Sequence, residues 1–161
     1  MRLKPALVAL ALACGCSSQT SSVQTPSAST IPTDGVHVDG AIHGVYPITS
    51  SATCQIAMVN ADQVLTLSAN AKSGASIGIE LIKYKGPGTY APLDWPPYES
   101  SAFWAGLIGG HTWRAYSGQV TVTSDSNGKV SGTVTASDMR EVDGSTTVNA
   151  NGSWTCQRLG Q

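Results

Sequence analysis

The chain is 161 residues long, 41% hydrophobic and only 12% charged, with 9 basic and 10 acidic side chains and a formal net charge of −1. That length matches one domain, and a charged share about half the usual one, beside abundant Gly, Ser and Thr, suits strands and turns and not surface helices. The near balance of charge, with no Lys/Arg cluster after Lys4, argues against nucleic acid as a partner.

Arg2 and Lys4 form a short positive region, and Ala6 to Ala13 follow as an uncharged apolar run. This is the pattern of an export signal, and the run falls well short of the roughly 20 residues a bilayer-spanning helix needs. The segment Leu12-Ala13-Cys14-Gly15-Cys16-Ser17-Ser18 resembles the bacterial lipobox, in which small residues precede a Cys that receives diacylglycerol. Both Cys14 and Cys16 compete for that role. The chain has four Cys, and Cys54 and Cys156 lie in the region expected to fold outside the cytoplasm, where they should pair. Cleavage before Cys16 leaves one acylated Cys and one pair, whereas cleavage before Cys14 leaves an extra thiol. The sequence therefore predicts a signal peptide over 1–15 and lipidation at Cys16, with Cys14 as the alternative. Losing Arg2 and Lys4 leaves a weakly acidic body that charge does not hold to anionic lipid. Attachment then falls to the acyl chains, more than one of which is needed for a stable anchor.

Ten of the seventeen positions from Ser17 to Thr33 are Ser or Thr, with Pro26 and Pro32 among the rest. Such a stretch has no apolar face to bury and reads as a disordered tether over 16–35. At roughly 5–6 Å × √n its mean reach is about 20–25 Å. Its composition fits O-linked sugars and a bare spacer equally.

After Asp34-Gly35 short apolar alternations begin, broken by Gly, Asn, Asp and Pro, and the span 36–158 reads as an all-β domain. Cys54, Ile56 and Met58 line one face of an early strand. Val64-Leu65-Thr66-Leu67 and Ile77-Gly78-Ile79-Glu80-Leu81 predict two more. From Gln119 to Ala136, Val120 and Val122 alternate with Thr121 and Thr123, Asn127-Gly128 turns the chain, and Val130, Val134 and Ala136 resume the pattern as a hairpin. Val148, Ala150, Gly152, Trp154 and Cys156 share one face of a last strand. About seven short antiparallel strands result, as a sandwich or a half-closed barrel, with no amphipathic helix. Because Cys54 and Cys156 each sit on an apolar face, a disulfide between them would join the first and last core strands across about a hundred residues.

The unusual region is Tyr84 to Trp113, which reads as a long loop bent at Gly86-Pro87-Gly88 and crowded with aromatics. Tyr90, Trp95, Tyr98 and Trp104 are the candidate ligand surface, for an apolar molecule or a stacked glycan. The competing reading is a loop folded back to plug one end of the domain.

Catalytic signals are weak. His37, His43 and His111 have no zinc-like spacing with Cys, Asp or Glu, so no metal or cofactor is expected, and a surface site of His37, His43 and Asp39 is a poor second to solvated histidines. No nucleophile elbow or Ser/His/Asp arrangement stands out. Asp138 and Glu141 flank Arg140 as a solvated charge cluster. Asn151-Gly152-Ser153 matches a glycosylation sequon, which chance accounts for within a strand.

In order of features the chain resembles the mycobacterial 19 kDa lipoprotein antigen family. The likeness is carried by Gly15-Cys16-Ser17-Ser18, the Ser/Thr-rich tether, Val38-Asp39-Gly40, Cys54, Val130-Ser131-Gly132-Thr133-Val134-Thr135-Ala136-Ser137-Asp138-Met139 and Trp154-Thr155-Cys156. The resemblance implies a cell-envelope lipoprotein without a catalytic site, whose acylated N-terminus is sensed by host innate receptors. The chain departs from the family's pattern at Lys85-Gly86-Pro87-Gly88-Thr89-Tyr90 and from Trp95 to Trp104. The expected function is thus non-enzymatic: a surface-exposed, antigen-like β domain anchored in the cell membrane through its N-terminal lipid. The alternative is an extracytoplasmic binding module or carrier for a small apolar or glycan ligand, with envelope glycan or lipid as the partner.

Overall fold

The computed structural model describes residues 34–48, 52–71, 73–93 and 101–160, apart from the side chain of Leu107. The expected signal peptide, both lipidation candidates Cys14 and Cys16, and the expected tether up to Thr33 lie outside these residues. Eleven strands follow one another: β1 (Gly35–Gly40), β2 (Gly44–Pro47), β3 (Thr53–Val59), β4 (Asp62–Asn70), β5 (Ser76–Leu81), β6 (Gly88–Tyr90), β7 (Ala102–Ile108), β8 (His111–Ala115), β9 (Gly118–Ser126), β10 (Lys129–Glu141) and β11 (Thr147–Arg158). There is no helix among the described residues.

Local sequence accounts for the long strands. Asn127 and Gly128 have φ of 52° and 70°, the left-handed pair that a two-residue hairpin turn requires, and they join β9 to β10. Just beyond, Ser124 pairs with Ser131 but Val122 with Gly132. Thr123 is thus the extra residue of a bulge, and its hydroxyl donates to the Ser131 carbonyl at 3.2 Å. In β11 every second residue from Val148 to Cys156 is buried, the period of a strand with one face on the core. The apolar face of β3 fades along its length: Cys54 is buried, Ile56 half-buried, and Met58 is 67% exposed at the hairpin tip.

The strands form one sheet whose pairings run full circle through β3, β4, β5, β7, β8, β10 and β11. Gln157 pairs with Thr53, and the row continues through Ser68, Gly78, Trp104, Arg114 and Arg140 to Thr147. It leaves β11 at position 157 and returns at 147, a stagger of ten residues. Such a stagger is what a closed sheet needs in order to tilt its strands. The arrangement is therefore ring-like, in place of two facing sheets. β1 and β2 extend from the free part of β11, and β9 and β6 from that of β10. The count exceeds seven because the aromatic region, read as a loop, contains β6, β7 and β8, and because a short hairpin of β1 and β2 precedes β3. One pairing among the eleven strands is parallel, that of β3 with β11, over two residue pairs.

The inner face carries the apolar core. Leu65, Leu67, Ile77, Ile79, Leu81, Phe103, Ile108, Met139, Trp113 and Trp154 are all fully buried in one cluster. Small residues make room for the indoles: a Cβ on Gly132 would meet the Thr121 carbonyl oxygen at 2.3 Å and the Trp154 ring at 2.6 Å.

Cys54 and Cys156 are disulfide-bonded, with Cα atoms 5.6 Å apart and a sequence separation of 102. The bond lies at the seam where β3 meets β11. Closing a loop of that length contributes about 4–5 kcal/mol in the chain-entropy model. Reduction, or Cys54→Ser with Cys156→Ser, should lower the melting temperature by about 10–20 °C; an unchanged calorimetric transition would contradict this role for the bond.

Candidate functional site

Past β5 the chain turns through Lys83, whose φ is 56°, and the Tyr84 backbone N–H donates to the Gln63 carbonyl at 2.7 Å. This drives the Tyr84 ring into the core, where it is 3% exposed. A buried hydroxyl needs a partner, and Tyr84 donates to Oδ2 of Asp125 at 2.8 Å. Asp125, near the end of β9, offers its other oxygen to Arg158 at the end of β11. The two side chains of that ion pair are 14% and 18% exposed. Arg158 Nε is buried without a partner, so Asp125 is its main compensation. Burial, and secondarily Tyr90, pushes the Tyr84 hydroxyl above its ordinary range, with Arg158 acting in the opposite sense; it stays a donor at physiological pH.

Tyr90 completes the arrangement. It pairs with buried Val120 and stacks on Tyr84, with ring centroids 5.7 Å apart and planes 19° from parallel. Its hydroxyl donates to the Gly86 carbonyl at 2.6 Å and accepts the Lys85 N–H at 3.0 Å. Those two bonds pin the Gly86-Pro87-Gly88 bend, where Gly86 has the positive φ of 93° that glycine tolerates. Beside Tyr90 opens a pocket of about 310 Å³, lined by Ile82, Lys83, Lys85, Tyr90, Pro92 and Ser101 among others. Ser101 is the only buried polar residue among the described residues.

Of the two expected surface aromatics among the described residues, Tyr90 lines this pocket and Trp104 does not. Trp104 pairs with Gly78 while its neighbours Phe103 and Ala105 are buried in the core. It therefore projects from the opposite face of the sheet, and its indole covers Gly78 so closely that a Cβ there would lie 2.0 Å from the ring. This is the aromatic cover that strand glycines often receive. Trp95 and Tyr98 lie outside the described residues. No local pattern in the sequence marks Lys83, Tyr84 and Lys85 as site residues, and Asp125 and Arg158 reach Tyr84 only through the long-range pairing of the sheet.

The titratable groups elsewhere are dispersed. His43 pairs with Asp39 at 2.5 Å, and His37 stands exposed on β1. Glu141 accepts a hydrogen bond from Thr146 and faces His111; the Thr146 hydroxyl, then the imidazole, holds its carboxyl below the usual range. Asp138 binds Arg140 at 2.8 Å, and the guanidinium lies 4.6 Å from the centre of the Tyr116 ring. Among the described residues no three His, Cys, Asp or Glu side chains are grouped to hold a metal ion. No family model, curated protein or solved structure matches the chain.

Two stability measurements follow from this wiring. Asp125→Ala strands a mostly buried guanidinium and should cost about 2–4 kcal/mol in denaturant unfolding, against about 1 kcal/mol for Tyr84→Phe, which removes one hydrogen bond; equal losses would contradict the ion pair's part. Glu80, on the face that bears Trp104, is raised above the ordinary carboxyl range by burial. A raised folded-state acid destabilises the fold when ionised, and that penalty disappears below the unfolded value of about 4.5. Glu80→Gln should therefore unfold at a higher temperature than wild type at pH 7 and at the same temperature at pH 3.5.

Proposed function

We propose that the protein is a non-enzymatic lipoprotein of the cell envelope, anchored through an acylated Cys16 and carrying its ring-like β domain on the extracytoplasmic side of the membrane. The observation that carries this reading is the Cys54–Cys156 bond. A bond of this kind persists in oxidising compartments and is rare where glutathione keeps thiols reduced. It also removes two of the four cysteines from consideration, which supports the parity argument for Cys16 over Cys14. The absence of enzymatic activity is supported by the way acidic groups are used: Asp39, Asp125, Asp138 and Glu141 are each engaged by a cationic or imidazole partner at separate places. Catalytic acids and bases are instead gathered in one cleft. An acylated N-terminus outside the cytoplasm is also the feature through which a host innate receptor would sense the protein as an antigen.

A second reading, that the domain binds a small ligand, is favoured by the open pocket beside Tyr90. The pocket lies on the surface, outside the apolar cluster formed by the buried residues.

Metabolic labelling with a fatty acid tests the anchor. Wild type and Cys14→Ala should incorporate label into the membrane fraction, and Cys16→Ala should not. Undiminished label in Cys16→Ala rules that residue out, and a mature protein that is freely soluble with all thiols reduced overturns the whole proposal.

A further inference from the structure

We propose that the pocket beside Tyr90 recognises an acidic sugar, with the sugar ring against the face of Tyr90 turned away from Tyr84 and its carboxylate or phosphate between Lys83 and Lys85. The inference rests on the second reading above, that the domain binds a ligand, and is independent of the lipid anchor.

Three features of the pocket select this chemistry. The first is charge. Lys83 and Lys85 both line the cavity, and neither takes part in any of the ion pairs formed among the described residues. Asp125, the carboxylate wired to this tyrosine pair, is already occupied by Tyr84 and Arg158. Two uncompensated ammonium groups at the rim of one cavity favour an anion. The second is the aromatic floor. One face of Tyr90 is covered by Tyr84 at 5.7 Å, and its hydroxyl is held by the Lys85 N–H and the Gly86 carbonyl at the start of the bend. The ring is thus fixed before any ligand arrives, and a fixed, flat, partly wet aromatic is the surface on which the C–H face of a sugar stacks at little entropic cost. Ile82, Ala91 and Pro92 provide apolar walls, and Ser101 a hydroxyl, around it. The third is size. About 310 Å³ lies at the lower end of small-molecule sites, which suits one or two rings.

Lys83 adds a conformational argument. Its φ of 56° is uncommon for a side chain other than Asn, Asp or Gly. The Tyr84 N–H to Gln63 bond holds the turn in place, and the turn puts Lys83 and Lys85 on the same cavity.

The test uses ligand-observed NMR on the full-length oxidised protein in detergent, with glucuronate, glucose 6-phosphate, glucose, inorganic phosphate and glycerol phosphate as probes. Glucuronate and glucose 6-phosphate should each bind about five- to tenfold more tightly than glucose or inorganic phosphate, with an advantage that shrinks at high salt. Lys83→Gln with Lys85→Gln should bring both acidic sugars down to the level of glucose while the melting temperature stays at the wild-type value. Tyr90→Phe, which keeps the ring, should retain the preference. If glucose binds as tightly as glucuronate, binding survives and the charge selection is overturned. If inorganic phosphate binds as tightly as glucose 6-phosphate, the stacking is overturned. If glycerol phosphate matches glucose 6-phosphate, the ligand is a lipid-headgroup phosphate and not a sugar. If no probe binds at all, the second reading falls together with this inference, and the anchor is untouched.

Discussion

Closing a sheet into a ring leaves one pair of strands that must meet without help from a short connection, and here that pair is β3 and β11. Their pairing spans only Gln157 with Thr53 and Arg158 with Cys54. The flanking backbone adds two bonds, from Gln157 N–H to Ala52 at 3.0 Å and from Leu159 N–H to Cys54 at 2.8 Å. Set against the entropy of bringing together segments about a hundred residues apart, so few hydrogen bonds, each contributing about 1 kcal/mol net, hold the seam weakly. The Cys54–Cys156 bond is placed at that weak point. It acts on the unfolded chain, where it limits how far β3 and β11 can separate, as much as on the folded one.

What happens at the seam reaches the pocket through a short sequence of contacts. Arg158 is paired in register with Cys54 and gives its backbone N–H to Gly128 at 2.8 Å. From there its guanidinium holds Asp125, Asp125 holds the Tyr84 hydroxyl, and Tyr84 carries Tyr90 on its ring. The tyrosine pair is therefore supported by three segments remote in sequence: the end of β5, the end of β9 and the end of β11. A site supported in this way is rigid as long as the ring is closed, and this is the condition under which a shallow pocket binds without losing much ordering entropy.

The parts of the fold legible in sequence are those whose chemistry is local. The Asn127-Gly128 turn and the alternation of β9, β10 and β11 were readable because each strand shows water on one face and core on the other, and the apolar positions of Cys54 and Cys156 implied their pairing. β7 was not readable. Its sequence Ala-Phe-Trp-Ala-Gly-Leu-Ile lacks polar alternation because its outer side is also occupied, with Ala102 buried and Trp104 covering Gly78. Without that strand the aromatics of the region looked like one loop and hence one surface. Recognising it separates them, since Trp104 must face away from Phe103 and Ala105, and Tyr90 goes inward with Val120. The two cysteines marked where the seam lies, but its parallel register and the Asp125–Arg158 pair had no signature, because a two-residue parallel contact and a single long-range ion pair leave no periodicity behind.

The same geometry divides the polar residues by the work they do. Tyr84, Asp125 and Arg158 are buried or nearly so, and each has a partner whose loss exposes the others to an unmet desolvation cost. Lys83 and Lys85 differ in every respect. Neither has a carboxylate among the described residues, and both border solvent at an open cavity. Stability therefore exerts no pull on their charge. A pair of like charges brought to one rim also repels itself slightly, a cost that no carboxylate among the described residues offsets. In the proposed complex it is recovered when the acid group of the ligand comes between them, with the ring of Tyr90 beside them setting the shape of what is attached to that group.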